Sequence, residues 1–356
     1  MTSSRYSATL IGAGSVGLVL AASLAKADWD VSIVGARTPL NKISMQENGI
    51  SSQYSVKRVD VNQDFKPPRV LIIAVKSQQV ETISHWLPAF DSQNTTVLVA
   101  QNGIDQRQTF RNYFSDSPII PAIIYFNAQR DKPGSVNLRR IGHQDVCLPQ
   151  QDLTRLLASA FSTGGLRVLL TEDIQTRLWL KLLANISVNP LTALTGQPTG
   201  IMHRSDIADS ARALMLEALP VAQAEGAKIT IQDLEDTLRW ISTIPPESRS
   251  SMLQDKQAMV PLEYQALTGA VVRAGARHSI PTPLNELVLS LFWQDLKRNC
   301  SAIDGAISLE RGPATIQRRN FSVEVLASLA APKKLSFPPA VNWVLASRLM
   351  VCWRVD

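Results

Sequence analysis

Ala8-Thr9-Leu10-Ile11-Gly12-Ala13-Gly14-Ser15-Val16-Gly17, continued by Leu18 to Lys26 and by Asp30-Val31-Ser32-Ile33-Val34, is the stretch that decides the fold. Ala8 to Ile11 reads as a short buried strand, GAGSVG at 12–17 as a tight turn, Leu18 to Lys26 as an Ala/Leu-rich helix, and Asp30 to Val34 as a second strand. A strand–turn–helix–strand unit of about thirty residues is the context that gives a GxGxxG pattern its meaning. Gly12 permits the sharp turn out of the strand. Gly14 has no Cβ, so a pyrophosphate can approach the backbone of Ala13, Ser15 and Val16. Gly17 lets the helix lie close on the sheet, and the free N–H groups at the helix start bind phosphate. Arg5 before the stretch and Ala25-Lys26-Ala27 after it mimic a secretory signal. A signal has no use for three glycines at that spacing, and the dinucleotide turn explains more of the residues.

The end of the second strand speaks to which dinucleotide. NAD-preferring sites place an acid there for the ribose 2′-hydroxyl. Val34-Gly35-Ala36-Arg37-Thr38 offers none. Arg37 suits the 2′-phosphate of NADP(H) instead, and the Thr38 hydroxyl could assist.

Working outward, VLIIAV at 70–75 and VLVA at 97–100 are unbroken apolar runs, as in parallel strands buried on both faces. Residues 80–90 read as a crossover helix between them. Residues 119–126 are β-rich and lead into a turn at Lys132-Pro133-Gly134, and RVLL at 167–170 closes the series. Beyond Thr171 the period becomes helical: 174–188, 207–225, 231–241, 261–278 and 283 to about 298 read as successive amphipathic helices. The expected class is α/β, an N-terminal Rossmann-type doubly wound parallel sheet (1–170) followed by an all-α C-terminal domain (171–305). Residues 306–356 form an extension to which the sequence assigns no role.

Composition narrows the function classes. A chain of 356 residues suits two domains, and 45% hydrophobic with 19% charged residues fits neither disorder nor a coiled coil. Cys147, Cys300 and Cys352 include no CxxC, and the four histidines include no HxxxH, so neither a disulfide scaffold nor a metal site is expected. The net charge of +6 is concentrated: residues 306–356 hold seven basic and three acidic side chains, leaving +2 for the rest. That is a weak footprint for nucleic acid, and none is expected as a partner. No apolar run approaches the roughly twenty residues of a membrane span. A cytoplasmic setting is expected, and a homodimer is left open.

Three constellations carry polar chemistry. Lys76 and Gln101-Asn102-Gly103 end adjacent buried strands, at the edge where open α/β sheets bind ligands. Lys181, Asn185 and Asn189 recur every fourth residue in Trp179 to Pro190, so they share a helix face; Pro190 should end or kink that helix. Polar groups in so apolar a helix are costly unless they meet a ligand or one another. Their functional reading is a general acid with two orienting amides; their structural one is a snorkelling lysine with two cap-like asparagines. Ser251 and Glu263, in and after SSMLQD at 250–255, read as a helix cap and a surface acid as readily as site residues.

Taken together, GAGSVG at 12–17, AVKSQQ at 74–79, QNG at 101–103, WLKLLANISVNPLTALTG at 179–196, SSMLQD at 250–255 with Glu263, and HSIPTPLN at 278–285 resemble the ketopantoate reductase (2-dehydropantoate 2-reductase) family. The resemblance covers roughly residues 7–295. It implies NADPH-dependent reduction of 2-dehydropantoate to (R)-pantoate, a step of pantothenate (vitamin B5) biosynthesis. It implies Lys181 as proton donor and Asn185, Asn189 and Ser251 as substrate contacts. Lys76, Asn102 and Glu263 fall near the nicotinamide and the reaction centre, Ala128 at a backbone contact to the cofactor, and Arg37 at the 2′-phosphate. Ser248 and Thr199 stand where some members carry asparagine, and Leu262 where a threonine often precedes the acid. Ser248 and Thr199 leave open another 2-keto or 2-hydroxy acid, such as an aromatic one, and the extension at 306–356 leaves open, more remotely, a non-catalytic NADP(H)-binding sensor.

Overall fold

A computed structural model describes residues 6–36, 38–60 and 66–292 of the chain; Arg37 and the extension at 306–356 lie outside the described residues. The unit that opens the sequence forms as β1 (Ser7–Ile11), α1 (Ser15–Lys26) and β2 (Asp30–Val34), with β1 and β2 parallel and Ile11 opposite Val34. The helix starts at Ser15, earlier than the apolar run implies, because extended Gly14 serves as its N-cap.

A hairpin follows that the apolar runs do not announce, β3 (Lys42–Glu47) and β4 (Ile50–Ser55). Asn48 and Gly49 form its turn with φ of 50° and 81°, the left-handed pair that suits the twist of a two-residue hairpin. Then come β5 (Lys57–Arg58), β6 (Val70–Ile73), β7 (Thr96–Val99) and β8 (Ile119–Pro121), completing a six-stranded parallel sheet in the order β5-β2-β1-β6-β7-β8. The chain leaves β1 in one direction to β2 and returns to its other side at β6. That reversal opens a crevice beyond the carboxyl ends of the strands.

The crossover helix expected over 80–90 is broken into α2 (Val80–Ile83), flanked by 3-10 turns at Ser77–Gln79 and Ser84–Phe90. Pro88 lies in the second turn and has no N–H to extend an α-helical ladder. After β7 comes α3 (Gln106–Phe110). The run at 119–126 divides after Pro121: β9 (Ile123–Ile124) leaves the main sheet and pairs with β12 (Val146–Pro149), which also pairs with β13 (Val168–Thr171). Between them β10 (Asn127–Lys132) and β11 (Ser135–Arg139) join β3 and β4 in a four-stranded side sheet, turning at Gly134 as the sequence indicates. The helix α4 (Asp152–Thr163) packs against α1.

The second half is helical: α5 (Ile174–Thr195), α6 (Ser205–Ala224), α7 (Ile231–Ser242), α8 (Ser251–Gln257), α9 (Thr268–Arg277) and a further helix through residues 283–292. Asp173 caps α5 by accepting from the Thr176 N–H at 3.0 Å. Pro190 neither ends this helix nor stops its hydrogen-bonded run; α5 continues to Gly196, whose φ of 69° terminates it. A mid-helix proline costs about 3 kcal/mol. Here α5 is the spine of the half, packed against α6, α7 and α8, and Leu182, Leu183, Ile186 and Ala193 are buried on both sides of the proline. The helix expected at 261–278 begins only at Thr268; residues 264–267 form turns, and Glu263 just before them is buried. Leu10, Leu18, Ile33 and Leu98 belong to the core of the sheet half, and Trp179, Met215, Leu234 and Phe292 to that of the helical half.

Candidate active site

The glycine turn meets its steric specification. A Cβ on Gly12, whose φ is 104°, would lie 2.6 Å from the Ala74 carbonyl carbon, and one on Gly17 would lie 2.1 Å from the Gly12 oxygen. A Cβ on Gly14 would meet nothing within 4 Å. The first two glycines are therefore demanded by packing, whereas Gly14 faces open space. No acid and no capping side chain occupies the first turn of α1, so its N–H groups are presented to that space. This is a cradle that fits the pyrophosphate of a dinucleotide. Arg130, on β10 and not singled out by the sequence reading, donates from Nη1 to the Ala13 carbonyl at 3.2 Å and so fixes a cation beside the turn. Ala128 lies two residues before it on the same strand, half-buried.

At the same sheet edge, Gln101 Nε2 donates to the Val75 carbonyl at 2.8 Å, tying the loop after β7 to the loop after β6. Gln106 Nε2 donates to the Gln101 and Gly103 carbonyls at 3.0 and 2.8 Å and holds the Gln101-Asn102-Gly103 bend. Against this edge stands α5. A small cleft is lined by Gln101, Asn102, Gly103, Gln106 and Ile123 from the sheet half and by Leu178, Lys181, Leu182 and Asn185 from α5.

Lys181 is the centre of the arrangement. Its Nζ donates to the Ile124 carbonyl at the end of β9 and lies 5.6 Å from the centroid of the Tyr125 ring. Burial pulls its pKa down from the usual 10.5 to about 8, and the negative charge of Glu263 opposes that fall.

Glu263 is buried and accepts across the cleft from Asn102 Nδ2 at 3.0 Å and from the Ser77 N–H at 3.3 Å. Lys76 pairs with Asp255 of α8 at 2.5 Å, and Gln78 Nε2 donates to the Pro261 carbonyl at 2.8 Å. Burial raises the Asp255 carboxyl above its ordinary range, with Lys76 pulling it back. The loop after β6 is thus bound to the 255–263 segment at three points.

The structure brings Asn102, Lys181 and Asn185 to one cleft; Glu263 is joined to it through the Asn102 amide, and Lys76 is engaged by Asp255. Asn189 lies one turn further along α5 and is buried; its side chain does not line the cleft with Lys181. Ser251 is exposed at the first residue of α8. The cap of that helix is Ser250, not Ser251: its Oγ accepts from the Leu253 N–H at 3.1 Å and lies 2.6 Å from Thr192 Oγ1. That bond docks the start of α8 beside α5, one residue from Ser251. Thr199 Oγ1 donates to the Pro245 carbonyl at 2.8 Å, and the Thr199 N–H donates to the Ser248 carbonyl at 2.8 Å. Thr199 and Ser248 therefore sit in one backbone-zipped pair of loops. Sequence reasoning missed Asp255, Tyr125 and the Ile124 carbonyl. Asp255 lies within the SSMLQD motif, which is a usable signal; the other two carry none. No group of three or more His, Cys, Asp or Glu side chains among the described residues is placed to hold a metal, and among them no helix is long and apolar enough to cross a membrane.

Two family models match the chain: Ketopantoate reductase PanE/ApbA over residues 8–149 and Ketopantoate reductase PanE/ApbA C terminal over 173–294. The 2-dehydropantoate 2-reductase of Mycobacterium tuberculosis is 30% identical over 284 residues, covering 79% of this chain and 95% of the relative. Among solved structures, the 2-dehydropantoate 2-reductase from Methylococcus capsulatus superposes with a TM-score of 0.75 at 26% identity, over 82% of this chain and 97% of its own. The dimeric ketopantoate reductase from Staphylococcus aureus does so with a TM-score of 0.71 at 27% identity, over 82% and 99%.

Proposed function

The chain belongs to the ketopantoate reductase family, and from that premise we propose that it reduces 2-dehydropantoate to (R)-pantoate with NADPH, the step that supplies pantothenate biosynthesis. It is an oxidoreductase that uses a nicotinamide cofactor and takes a keto acid as substrate. The observation that carries the reading is Lys181: an ammonium with its pKa near 8, at a cleft between a glycine-turn sheet and a helical half.

The backbone of Gly12, Ala13, Gly14, Ser15, Val16 and Gly17 would hold the pyrophosphate, with Arg130 beside it. Lys76, Asn102 and Ala128 would flank the nicotinamide half, and Arg37 would meet the 2′-phosphate of NADP(H). When bound, the reduced nicotinamide supplies a hydride to the 2-keto carbon. Lys181 stabilises the negative charge that develops on the keto oxygen and passes its Nζ proton to it, leaving the hydroxy acid and a neutral amine that is reprotonated from solvent. Asn185, on the cleft wall beside Lys181, would hold one polar end of the substrate; Asn189 and Ser251, which do not line that cleft, would complete the contacts that the family resemblance implies. Glu263 is the second catalytic residue: it holds the Asn102 amide toward the reaction centre and keeps Lys181 protonated near neutral pH. The contacts that cross the cleft help to exclude water when the site is loaded.

The aromatic-acid alternative rested on Ser248 and Thr199. The Thr199 hydroxyl is engaged by the Pro245 carbonyl, which supports a loop-fixing role for it over a substrate contact. A homodimer and a reducing, cytoplasmic setting belong to the same reading; Cys147 is a free, buried thiol. The test is NADPH consumption by the purified protein against a panel of 2-keto acids. We expect the highest kcat/KM for 2-dehydropantoate. A preference for phenylglyoxylate overturns the substrate, and no turnover with any keto acid overturns the enzyme. For the cofactor, Arg37→Ala should weaken NADPH binding far more than NADH binding, and equal losses would remove Arg37 from the 2′-phosphate.

A further inference from the structure

We propose that Tyr125 is a positioning residue for Lys181, its ring face holding the lysine in the charged form and aimed into the cleft. The inference rests on the proton-donor reading of Lys181 but concerns a residue which that reading does not use.

Burial works against an ammonium. A lysine drawn out of water loses its proton unless something replaces the lost hydration. Among the described residues, three groups face Lys181 Nζ: the Ile124 carbonyl, which accepts its hydrogen bond; the Tyr125 ring, with its centroid 5.6 Å away; and the Glu263 carboxylate, which acts through space. The neutral amides of Gln101 and Asn102 complete the cleft wall. Arg177, one turn earlier on α5, acts on Tyr125 and on Cys147 of β12 behind it.

Tyr125 is held firmly enough to serve. Its N–H donates to the Asp145 carbonyl at 2.9 Å, and its ring packs against Ile123, Cys147 and Leu178. Its phenol cannot act as an anion toward the lysine, because burial first and Cys147 second push its pKa up to about 12. What the side chain offers Lys181 is the negative face of a neutral ring, within the roughly 6 Å over which a cation is attracted to it. Glu263 is committed to Asn102 and the Ser77 N–H, so the ring and the Ile124 carbonyl are the partners placed against the ammonium itself.

The test reads the lysine directly, without turnover. The pH dependence of Lys181 modification by an amine-reactive reagent, followed site by site by mass spectrometry on the full-length chain, yields its pKa. Tyr125→Phe should keep the pKa of the parent protein, since the hydroxyl is not the contact. Tyr125→Leu keeps the wall apolar and should lower it by about half a unit to one and a half units, the span of cation–π strengths. If the leucine variant does not fold, phenylalanines of increasing ring fluorination at position 125 keep the shape and drain the ring face. A pKa that falls stepwise with fluorination upholds the proposal, and one that is flat across the series overturns it. A pKa raised in Tyr125→Phe also overturns it. Loss of the proton-donor role is separately visible: Lys181→Ala with full turnover would end that reading whatever the fluorinated series shows.

Discussion

The glycine turn after β1 and the middle of α5 build the two sides of one cleft by opposite means. The turn works through backbone: where Gly12 and Gly17 stand a Cβ would strike neighbouring main chain, and Gly14 faces open space. The helix works through one side chain whose chemistry is set by groups far away in sequence, the Ile124 carbonyl, the Tyr125 ring and Glu263. A backbone site is written in the local residue pattern. A tuned side chain is written in its surroundings.

The contrast can be broken from either side. Gly12→Ala forces a side chain into a φ of 104° and against the Ala74 backbone. The combined strain and overpacking should cost about 3–5 kcal/mol, a large share of the stability of a domain, and chemical denaturation would register it. An unchanged midpoint would mean that the turn is not sterically specified. Lys181→Ala should lower kcat by about 10²–10⁴-fold while cofactor affinity is retained. Loss of cofactor binding in that variant would erase the division of labour between the two sides. Gly14→Ala discriminates further: the fold should survive intact, with NADPH affinity falling about tenfold as the methyl meets the pyrophosphate.

Proton linkage sharpens the helical side. Lys181 must be protonated to donate, and its pKa lies near 8. The activity limb should therefore be flat below that pH and fall about tenfold per unit above it. A limb that stays flat to about pH 10 would deny Lys181 the role. The smallest effect is expected where the two halves touch at a partly exposed ion pair. Asp255→Asn should change stability by less than about 1 kcal/mol, because burial already disfavours the charged carboxyl, and should leave the Lys181 limb where it was.

How much of this could be read in advance differs residue by residue. The doubly wound parallel sheet followed from apolar runs flanked by turn residues, its strand order only from the structure, and the hairpin at Asn48-Gly49 carried its own signal, which lies outside any apolar run. Pro190 misled because a local rule about proline gave way to burial along both flanks of α5. The 3-10 turn that holds Pro88 shows the same rule prevailing in a shorter segment. In the cleft, Lys181 and Asn185 were legible as polar residues at helical spacing in an apolar segment, while Ser250 took the capping role for which Ser251 is chemically as well suited.

By itself the sequence determined the dinucleotide-binding architecture, because glycine spacing, apolar runs and helical period are local quantities that the chain carries with it. Only the tertiary structure decided that Lys76 meets Asp255, that Glu263 spans the cleft to Asn102, and that an ammonium on α5 lies against a carbonyl and an aromatic ring. Those are encounters between segments separated by scores of residues, and the acidity of a buried group depends on what folding places beside it.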